Sequence, residues 1–230
     1  KVGTTNSACR VGVIPAEGGE TTWFEPDGDS RSFYIPMMGW AAGAEEIWLV
    51  RLNRLQNTAE VMLGRVSNGR LRTVFTDRDD AWIDMHEDPQ WIEDGRWFTW
   101  LSERDGWRHV YRYDYSGALL NRVTAGEFPV REVVEVDRER GRVFLLANAE
   151  ARLYDTHLYR VALTGGDLHR LTEATGEHEV EFSPSRLYFV DEHSAPDRPP
   201  TAELRDVEGK RVAVLATADT SRLDAIGWTP

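Results

Sequence analysis

Apolar and polar residues alternate along most of the chain, in short runs separated by glycine-containing turns. The run HVYRYDYSGALLNRVTAG, which starts at His109, shows the form: an alternating strand, a Ser-Gly turn, a second short strand and a threonine. Alternation with a period of two indicates β-strands with one buried face, and Ser-Gly, Asn-Gly and Glu-Gly pairs favour hairpin turns. No segment has a convincing helical period. The pattern therefore predicts an all-β fold.

The same pattern returns after 48 residues. The run HLYRVALTGGDLHRLTEA matches His157 to His109 and Thr172 to Thr124, and VMLGRVSNGRLRTVFT, which ends at Thr76, matches in the other direction. With the strand pair upstream of each hairpin, every unit has about four strands in about 45 to 50 residues, which is typical of β-propeller blades. A β-sandwich would also contain many short strands, but it gives no reason for copies at a constant shift.

Four units follow from this repeat, at residues 33–76, 81–124, 130–172 and 177–217. A further blade end precedes Phe24, and a terminal segment follows Ser221. We therefore expect about four to five blades of four antiparallel strands, in one partial β-propeller domain over residues 1–230. Open edge strands on the first and last blades would pair with other chains, so we also expect a homo-oligomer.

Acidic residues outnumber basic ones by 39 to 27, which gives a formal net charge of −12. This charge argues against a protein that binds nucleic acid through its phosphates, and it disfavours anionic membrane surfaces. No run approaches the roughly 20 apolar residues that cross a bilayer. The single cysteine, Cys9, excludes a disulfide framework and a metal site built from several cysteines.

Histidines are the first candidates for chemistry. His109 and His157 hold equivalent strand positions, and a histidine that repeats with the architecture is expected to pack or hydrogen-bond rather than to catalyse. His178 and His193 lie near blade edges without a cysteine or carboxylate at metal-ligand spacing. No Gly-x-Ser-x-Gly elbow occurs. We therefore predict no catalytic residue, metal or cofactor in this chain.

The run AWIDMHEDPQW, at residues 81–91, interrupts the alternation between two predicted blades. It places His86, Glu87 and Asp88 between two tryptophans. Loops between blades often carry function because a rigid scaffold positions them. A solvated acidic loop explains the same residues equally well.

Seven strings, taken in order, resemble the N-terminal propeller of the dipeptidyl peptidase IV family. They are IPMMGW (35–40), WLVRLNRLQN (48–57), SERDGWRHVYRYD (102–114), VTAGEFPV (123–130), HLYRVAL (157–163), EVEFSPSRLYFVD (179–191) and TAELRDVEGK (201–210). The likeness covers nearly the whole chain, and its second and third strings are the most specific. Single blade motifs would be weak evidence, whereas the ordered set is strong.

The resemblance implies an eight-bladed propeller stacked on a C-terminal α/β-hydrolase domain. Such enzymes are serine-type dipeptidyl peptidases, which remove N-terminal dipeptides of the Xaa-Pro or Xaa-Ala type from peptides with a free N-terminus. The resemblance places the catalytic triad after Pro230 and the glutamate pair that binds the substrate amine before Lys1. We therefore expect the chain alone to be inactive. The family favours a periplasmic or extracytoplasmic location.

By the same resemblance, the loop after Trp82 projects toward the central cavity, near the place of the substrate's N-terminal residue. We expect Trp82, His86, Glu87 and Asp88 to line this cavity, where an acidic group would favour a cationic peptide terminus. The propeller would then gate access to the catalytic domain. Two alternatives stay open: a stand-alone propeller that binds proteins through its rim, and a propeller that binds or cleaves sugars.

Overall fold

The computed structural model describes residues 3–41, 43–85, 89–92, 95–150, 152 and 154–227. In this part of the chain the strands are β1 (Val11–Val13), β2 (Thr22–Phe24), β3 (Phe33–Trp40), β4 (Glu46–Asn53), β5 (Thr58–Arg65), β6 (Leu71–Arg78), β7 (Gln90–Ile92), β8 (Trp97–Ser102), β9 (His109–Asp114), β10 (Leu119–Arg122), β11 (Val130–Asp137), β12 (Arg142–Ala147), β13 (His157–Ala162), β14 (His169–Arg170), β15 (Glu177–Phe182), β16 (Tyr188–Ala195), β17 (Arg198–Asp206) and β18 (Arg211–Thr217). One short helix, α1 (Ser221–Ala225), follows β18.

The strands form four sheets of four strands each, preceded by the two-stranded sheet β1-β2. In every four-stranded sheet, consecutive strands are neighbours: β3 to β6, β7 to β10, β11 to β14 and β15 to β18. This meander of four antiparallel strands is the form of a propeller blade. The predicted all-β fold with blades of four antiparallel strands is confirmed.

The second sheet begins later than the repeat indicates. Its first strand, β7, starts at Gln90 and not near Ala81. Residues 79–85 form an irregular loop that follows β6. The boundary at residue 81 came from the shift of 48 residues, whereas the interrupted alternation of residues 81–91 agrees with the loop.

The chain divides into two compact units. Unit one comprises Lys1–Gly106 with Tyr111–Asn121, and unit two comprises Trp107–Val110 with Arg122–Pro230. The division passes through β9 and β10 of the second sheet. Within the described residues, no helix has the length and apolar character that a membrane span needs.

The core of unit one is rich in aromatic side chains. Phe75 stacks on Tyr113 with ring centroids 4.2 Å apart, and it meets Trp100 edge-on at 5.4 Å. Phe98 lies against the other side of this group, 5.6 Å from Tyr113. Each aromatic side chain buries a large apolar area, and ring pairs at such distances add to the stability of the core.

Unit two has a core of its own, with more aliphatic residues. Phe144, Leu158 and Phe189 are fully buried there. Phe182 bridges two sheets, with its ring 4.8 Å from Phe144 and 5.3 Å from Phe189. At the end of this unit, every residue of the outer strand β18 is exposed.

The hairpin-turn glycines make a contact that repeats from sheet to sheet. Gly117 has a φ of +94°, and a Cβ on it would lie 1.8 Å from the carbonyl oxygen of Val74 in the preceding sheet. Gly209, with a φ of +90°, stands in the same relation to the carbonyl of Leu171, at 2.6 Å. Only glycine combines a left-handed backbone with such a close approach. The turn of one blade therefore rests directly on the backbone of the blade before it.

Candidate functional site

The loop between the first and second four-stranded sheets holds the candidate site that the sequence indicates. Asp79 fixes its beginning, because the carboxylate accepts hydrogen bonds from the backbone N–H groups of Ala81 (2.7 Å) and Trp82 (3.1 Å). These two bonds stabilise the charged carboxylate and lower the pKa of Asp79. Ile83 donates its N–H to the carbonyl of Gln56 at 2.8 Å. The loop is thus tied to the turn between β4 and β5.

A buried carboxylate supports the loop from below. Asp77, the second-to-last residue of β6, accepts hydrogen bonds from Trp100 Nε1 (3.0 Å) and from the Arg104 guanidinium (3.1 Å). The same guanidinium lies over the ring of Tyr111 at 4.7 Å. Arg104 belongs to the SERDGW turn between β8 and β9. Its bond to Asp77 therefore connects this turn to the end of β6, where the loop begins.

Loop and turn together enclose a small crevice. It has a volume of about 10 Å³, which is the space of roughly one water molecule. Its lining residues are Asp77, Arg78, Asp79, Trp82, Ile83, Asp84, Leu101, Ser102, Glu103 and Arg104. The crevice is too small for a peptide.

The structure places one of the four predicted cavity residues. Trp82 lines the crevice in part and has 52% of its surface exposed. His86, Glu87 and Asp88 lie outside the described residues. Their place in a substrate cavity therefore stays a prediction, and what the structure adds is the hydrogen bonding of residues 79–83, which precede them.

The two repeated histidines lie in the core and form the same hydrogen bond. His109 Nδ1 lies 3.1 Å from Thr124 Oγ1, and His157 Nδ1 lies 3.0 Å from Thr172 Oγ1. Each threonine oxygen also accepts the N–H of the residue after its histidine. Both histidines are 1% exposed. They connect the third strand of a blade to the segment after its fourth strand, as the repeat predicts.

A cluster that the sequence did not reveal lies in the last sheet. His178 Nδ1 is 2.6 Å from Asp191 Oδ1, and Arg205 contacts both Asp191 Oδ2 (3.1 Å) and Glu203 Oε2 (2.6 Å). His193 Nε2 lies 3.9 Å from Glu203 Oε2. The expectation that no carboxylate accompanies these histidines is wrong. Asp191 and His193 are two residues apart on one strand and so share a face. This spacing is the feature of the sequence that indicates the cluster.

Three imidazole rings lie close together at this cluster, tilted by 38° and 36° from one to the next. The ring of His178 lies 5.0 Å from that of His157 and 5.2 Å from that of His193. Burial, together with the neighbouring His178 and Arg170, lowers the pKa of His157 to about 4. The pKa of His193 is lowered as well, mainly by burial. Burial therefore favours the neutral form of His157 and His193 near neutral pH.

A larger open cleft of about 920 Å³ lies within unit two. Trp107 and Tyr154 are 42% and 92% exposed in its lining, and Arg131 joins Thr156 Oγ1 (2.8 Å) to Glu177 (3.0 Å). Its lining residues come from loops and from the strand ends next to them, such as Arg131 in β11 and Glu177 in β15. Aromatic and charged side chains are thus accessible in the cleft.

Comparison with known proteins gives a consistent result. Residues 1–200 match the family model of the dipeptidyl peptidase IV (DPP IV) N-terminal region. A probable dipeptidyl peptidase 4 of Aspergillus fumigatus is 24% identical over 210 residues, which are 86% of this chain and 27% of that protein. Dipeptidyl peptidase 4 of Arthroderma otae is 23% identical over 200 residues, which are 82% of this chain and 25% of that protein.

A solved structure agrees in fold. The crystal structure of Porphyromonas gingivalis dipeptidyl peptidase 4 matches with a TM-score of 0.84 and 24% identity, over 98% of this chain and 32% of that one. The chain therefore spans about a quarter of the length of the curated relatives it matches. The family resemblance that the ordered strings indicate is confirmed.

Proposed function

The chain belongs to the dipeptidyl peptidase IV family, within that family's N-terminal region, and on this basis we propose that it is the propeller portion of a serine-type dipeptidyl peptidase. Its role is to gate access to the substrate cavity and to line part of it. The observation that carries the proposal is the family match over residues 1–200. The activity belongs to the whole enzyme, in which a C-terminal α/β-hydrolase domain supplies the serine, aspartate and histidine.

The substrates in this proposal are peptides with a free N-terminus and with Pro or Ala in the second position. The loop that begins at Asp79 supports this assignment, because its start is fixed by the hydrogen bonds of Asp79 and by the Ile83 contact to Gln56. A loop start that is held by hydrogen bonds presents Trp82 with a smaller entropy loss on binding. His86, Glu87 and Asp88 follow Trp82 in the sequence. The acidic pair favours a cationic peptide terminus.

The cavity assignment is tested in the full-length protein by steady-state kinetics. Glu87→Gln and Asp88→Asn remove one charge each and keep the size of the side chain. We expect kcat/KM for a Gly-Pro or Ala-Pro anilide to fall roughly tenfold for at least one of them, which corresponds to about 1.4 kcal/mol. Trp82→Ala is expected to give a similar loss by removing an apolar wall.

The matched control is Trp107→Ala, which removes another partly exposed tryptophan, in unit two. It is expected to leave kcat/KM unchanged. Unaltered kinetics in Trp82→Ala, Glu87→Gln and Asp88→Asn alike would remove this loop from the substrate cavity. The proposal further states that the isolated chain has no peptidase activity, and turnover by it would contradict the assignment.

Self-association of the isolated chain is part of the proposal. The outer strand β18 is exposed along its whole length and includes Val212, Val214 and Leu215, each more than half exposed. Exposed edge strands of this kind pair with other chains. Light scattering after size exclusion is expected to show a dimer or larger species, whereas a strictly monomeric chain at high concentration would oppose this point.

A stand-alone protein-binding propeller is the second candidate function, and the cleft with Trp107 and Tyr154 favours it. The coding sequence that follows Pro230 separates the two candidates. A Gly-x-Ser-x-Gly elbow followed by an aspartate and a histidine would support the peptidase. A reading frame that stops there would support the scaffold.

A further inference from the structure

The last sheet contains a set of buried side chains whose donor atoms converge. Asp191 on β16 pairs directly with Glu203 on β17, and His193 lies two residues after Asp191 on the same face. The exposed fractions are 0% for Asp191, 6% for His193 and 4% for Glu203. One donor atom from each lies within 4.8 Å of the others.

This geometry approaches that of a metal site. Ligands at about 2.0 to 2.2 Å from a tetrahedral zinc ion are separated by roughly 3.3 to 3.6 Å. The distance from His193 Nε2 to Glu203 Oε2 is 3.9 Å. The three donors, which lie within 4.8 Å of one another, would have to move inward to reach these separations.

The second observation is the state of His193. Within the described part of the chain, neither of its ring nitrogens has a hydrogen-bond partner, although the residue is more than nine-tenths buried. Asp191 Oδ2 and Arg205 Nε also lie outside hydrogen-bonding alignment, despite their separation of 3.1 Å. Buried polar atoms are nearly always satisfied, and a group of unsatisfied ones is explained by bound water or by a bound ion.

We infer that Asp191, His193 and Glu203 form a binding site for a first-row divalent cation, with Zn²⁺ the best match to one imidazole and two carboxylates. The neighbouring contacts suit such a site. His178 holds Asp191 Oδ1 at 2.6 Å, and Arg211 holds Glu203 Oε1 at 3.0 Å. Outer contacts of this kind orient metal ligands. The bound cation would join β16 to β17.

Arg205 would compete with the cation for the carboxylates of Asp191 and Glu203, because its guanidinium contacts both. It reduces the negative charge available to a metal and so lowers the affinity. This gives the inference a specific consequence. Removal of the guanidinium must strengthen binding of Zn²⁺ if the cation uses these carboxylates, whereas zinc held by surface histidines would be indifferent to Arg205.

The experiment is equilibrium dialysis of the tag-free chain against ZnCl₂ near neutral pH, followed by elemental analysis. We expect the wild-type chain to bind one equivalent. His193→Phe keeps a ring of similar size and is expected to lower the affinity by at least roughly tenfold, while Arg205→Gln raises it. The control His169→Phe changes an exposed histidine on β14 and is expected to bind as the wild type does.

Absence of zinc binding by the wild-type chain, or equal binding by His193→Phe, would overturn the inference. If His193→Phe does not fold, Co²⁺ added to the wild-type chain provides a second measurement. Visible d–d bands, together with an anomalous scattering peak between Asp191, His193 and Glu203, would support the site. A peak elsewhere would refute it. These outcomes are independent of the peptidase proposal.

Discussion

The carboxylate of Asp77 accepts a hydrogen bond from the indole Nε1 of Trp100 at 3.0 Å, inside the aromatic core of unit one. The two residues are 5% and 3% exposed. Each residue satisfies the hydrogen-bonding group of the other, because a buried indole N–H needs an acceptor and a buried carboxylate needs donors. The guanidinium of Arg104 completes the group and joins it to the SERDGW turn.

Asp77→Ala is therefore expected to destabilise the chain. It leaves the Trp100 N–H buried without its acceptor and removes the partner of Arg104, whose side chain is 25% exposed. The expected loss in the free energy of unfolding is about 1 to 3 kcal/mol. Urea unfolding followed by tryptophan fluorescence measures it. Asp80→Ala, at an exposed position of the same loop, is the control and is expected to stay within about 0.5 kcal/mol of the wild type.

Gly117→Ala tests the contact between neighbouring blades. Gly106 offers a matched control, because its φ of +88° is close to the +94° of Gly117 while nothing lies within 4 Å of a Cβ placed on it. Gly106→Ala should lose about 1 kcal/mol through backbone strain alone. Gly117→Ala should lose at least about 1 to 3 kcal/mol more, because the methyl group meets the carbonyl of Val74. Equal losses in urea unfolding would show that the turn shifts freely.

Stability should depend on pH through His157. Its pKa is lowered from 6.5 to about 4 in the folded chain, so between these values the unfolded chain binds more protons than the folded one. Above pH 6.5 the lowered pKa has no effect on stability, and a destabilisation of the folded chain develops as the pH falls toward 4. Its full size is of the order of 3 kcal/mol.

The measurement is the free energy of unfolding at several pH values in this window. His157→Gln is expected to have a lower stability near neutral pH and a shallower pH dependence. His169→Gln, which changes an exposed histidine, should keep the slope of the wild type. The same slope in His157→Gln would assign the pH dependence to other groups.

Asp79→Ala should loosen the loop that carries Trp82 while leaving the core intact. The carboxylate holds the N–H groups of Ala81 and Trp82, and without it these amides open more readily to solvent. Hydrogen exchange resolved by residue is expected to become faster at these two amides only. In the full-length enzyme, kcat/KM should fall with little change in thermal unfolding. Unchanged exchange at both amides would show that the loop is held by other contacts.

The repeat made much of this fold predictable. The shift of 48 residues aligned His109 with His157 and Thr124 with Thr172, and the structure gives both pairs the same hydrogen bond. Such features are local, because each blade builds its own hairpin from consecutive strands. Residues 79–85 could not be assigned in this way, since their fold depends on one carboxylate and on a contact to a different hairpin.

The Asp191–Glu203 pair shows a second limit. The two residues come together through the register of β16 and β17, and register depends on bulges and turn geometry as well as on the alternation of the sequence. A bulge after His193 shifts the pairing at that end of the strands. The pairing of Asp191 with Glu203 therefore could not be predicted from the sequence pattern alone.

The turn glycines have a consequence for how the blades diverge. Each turn glycine lies against a backbone carbonyl oxygen. Gly117 faces the oxygen of Val74, Gly165 that of Arg122 and Gly209 that of Leu171. A contact to the main chain makes no demand on the side chain of its acceptor. Substitutions at the acceptor positions can therefore accumulate while the spacing of the blades is kept. Repeated units can in this way diverge widely in sequence and still share the turn glycine.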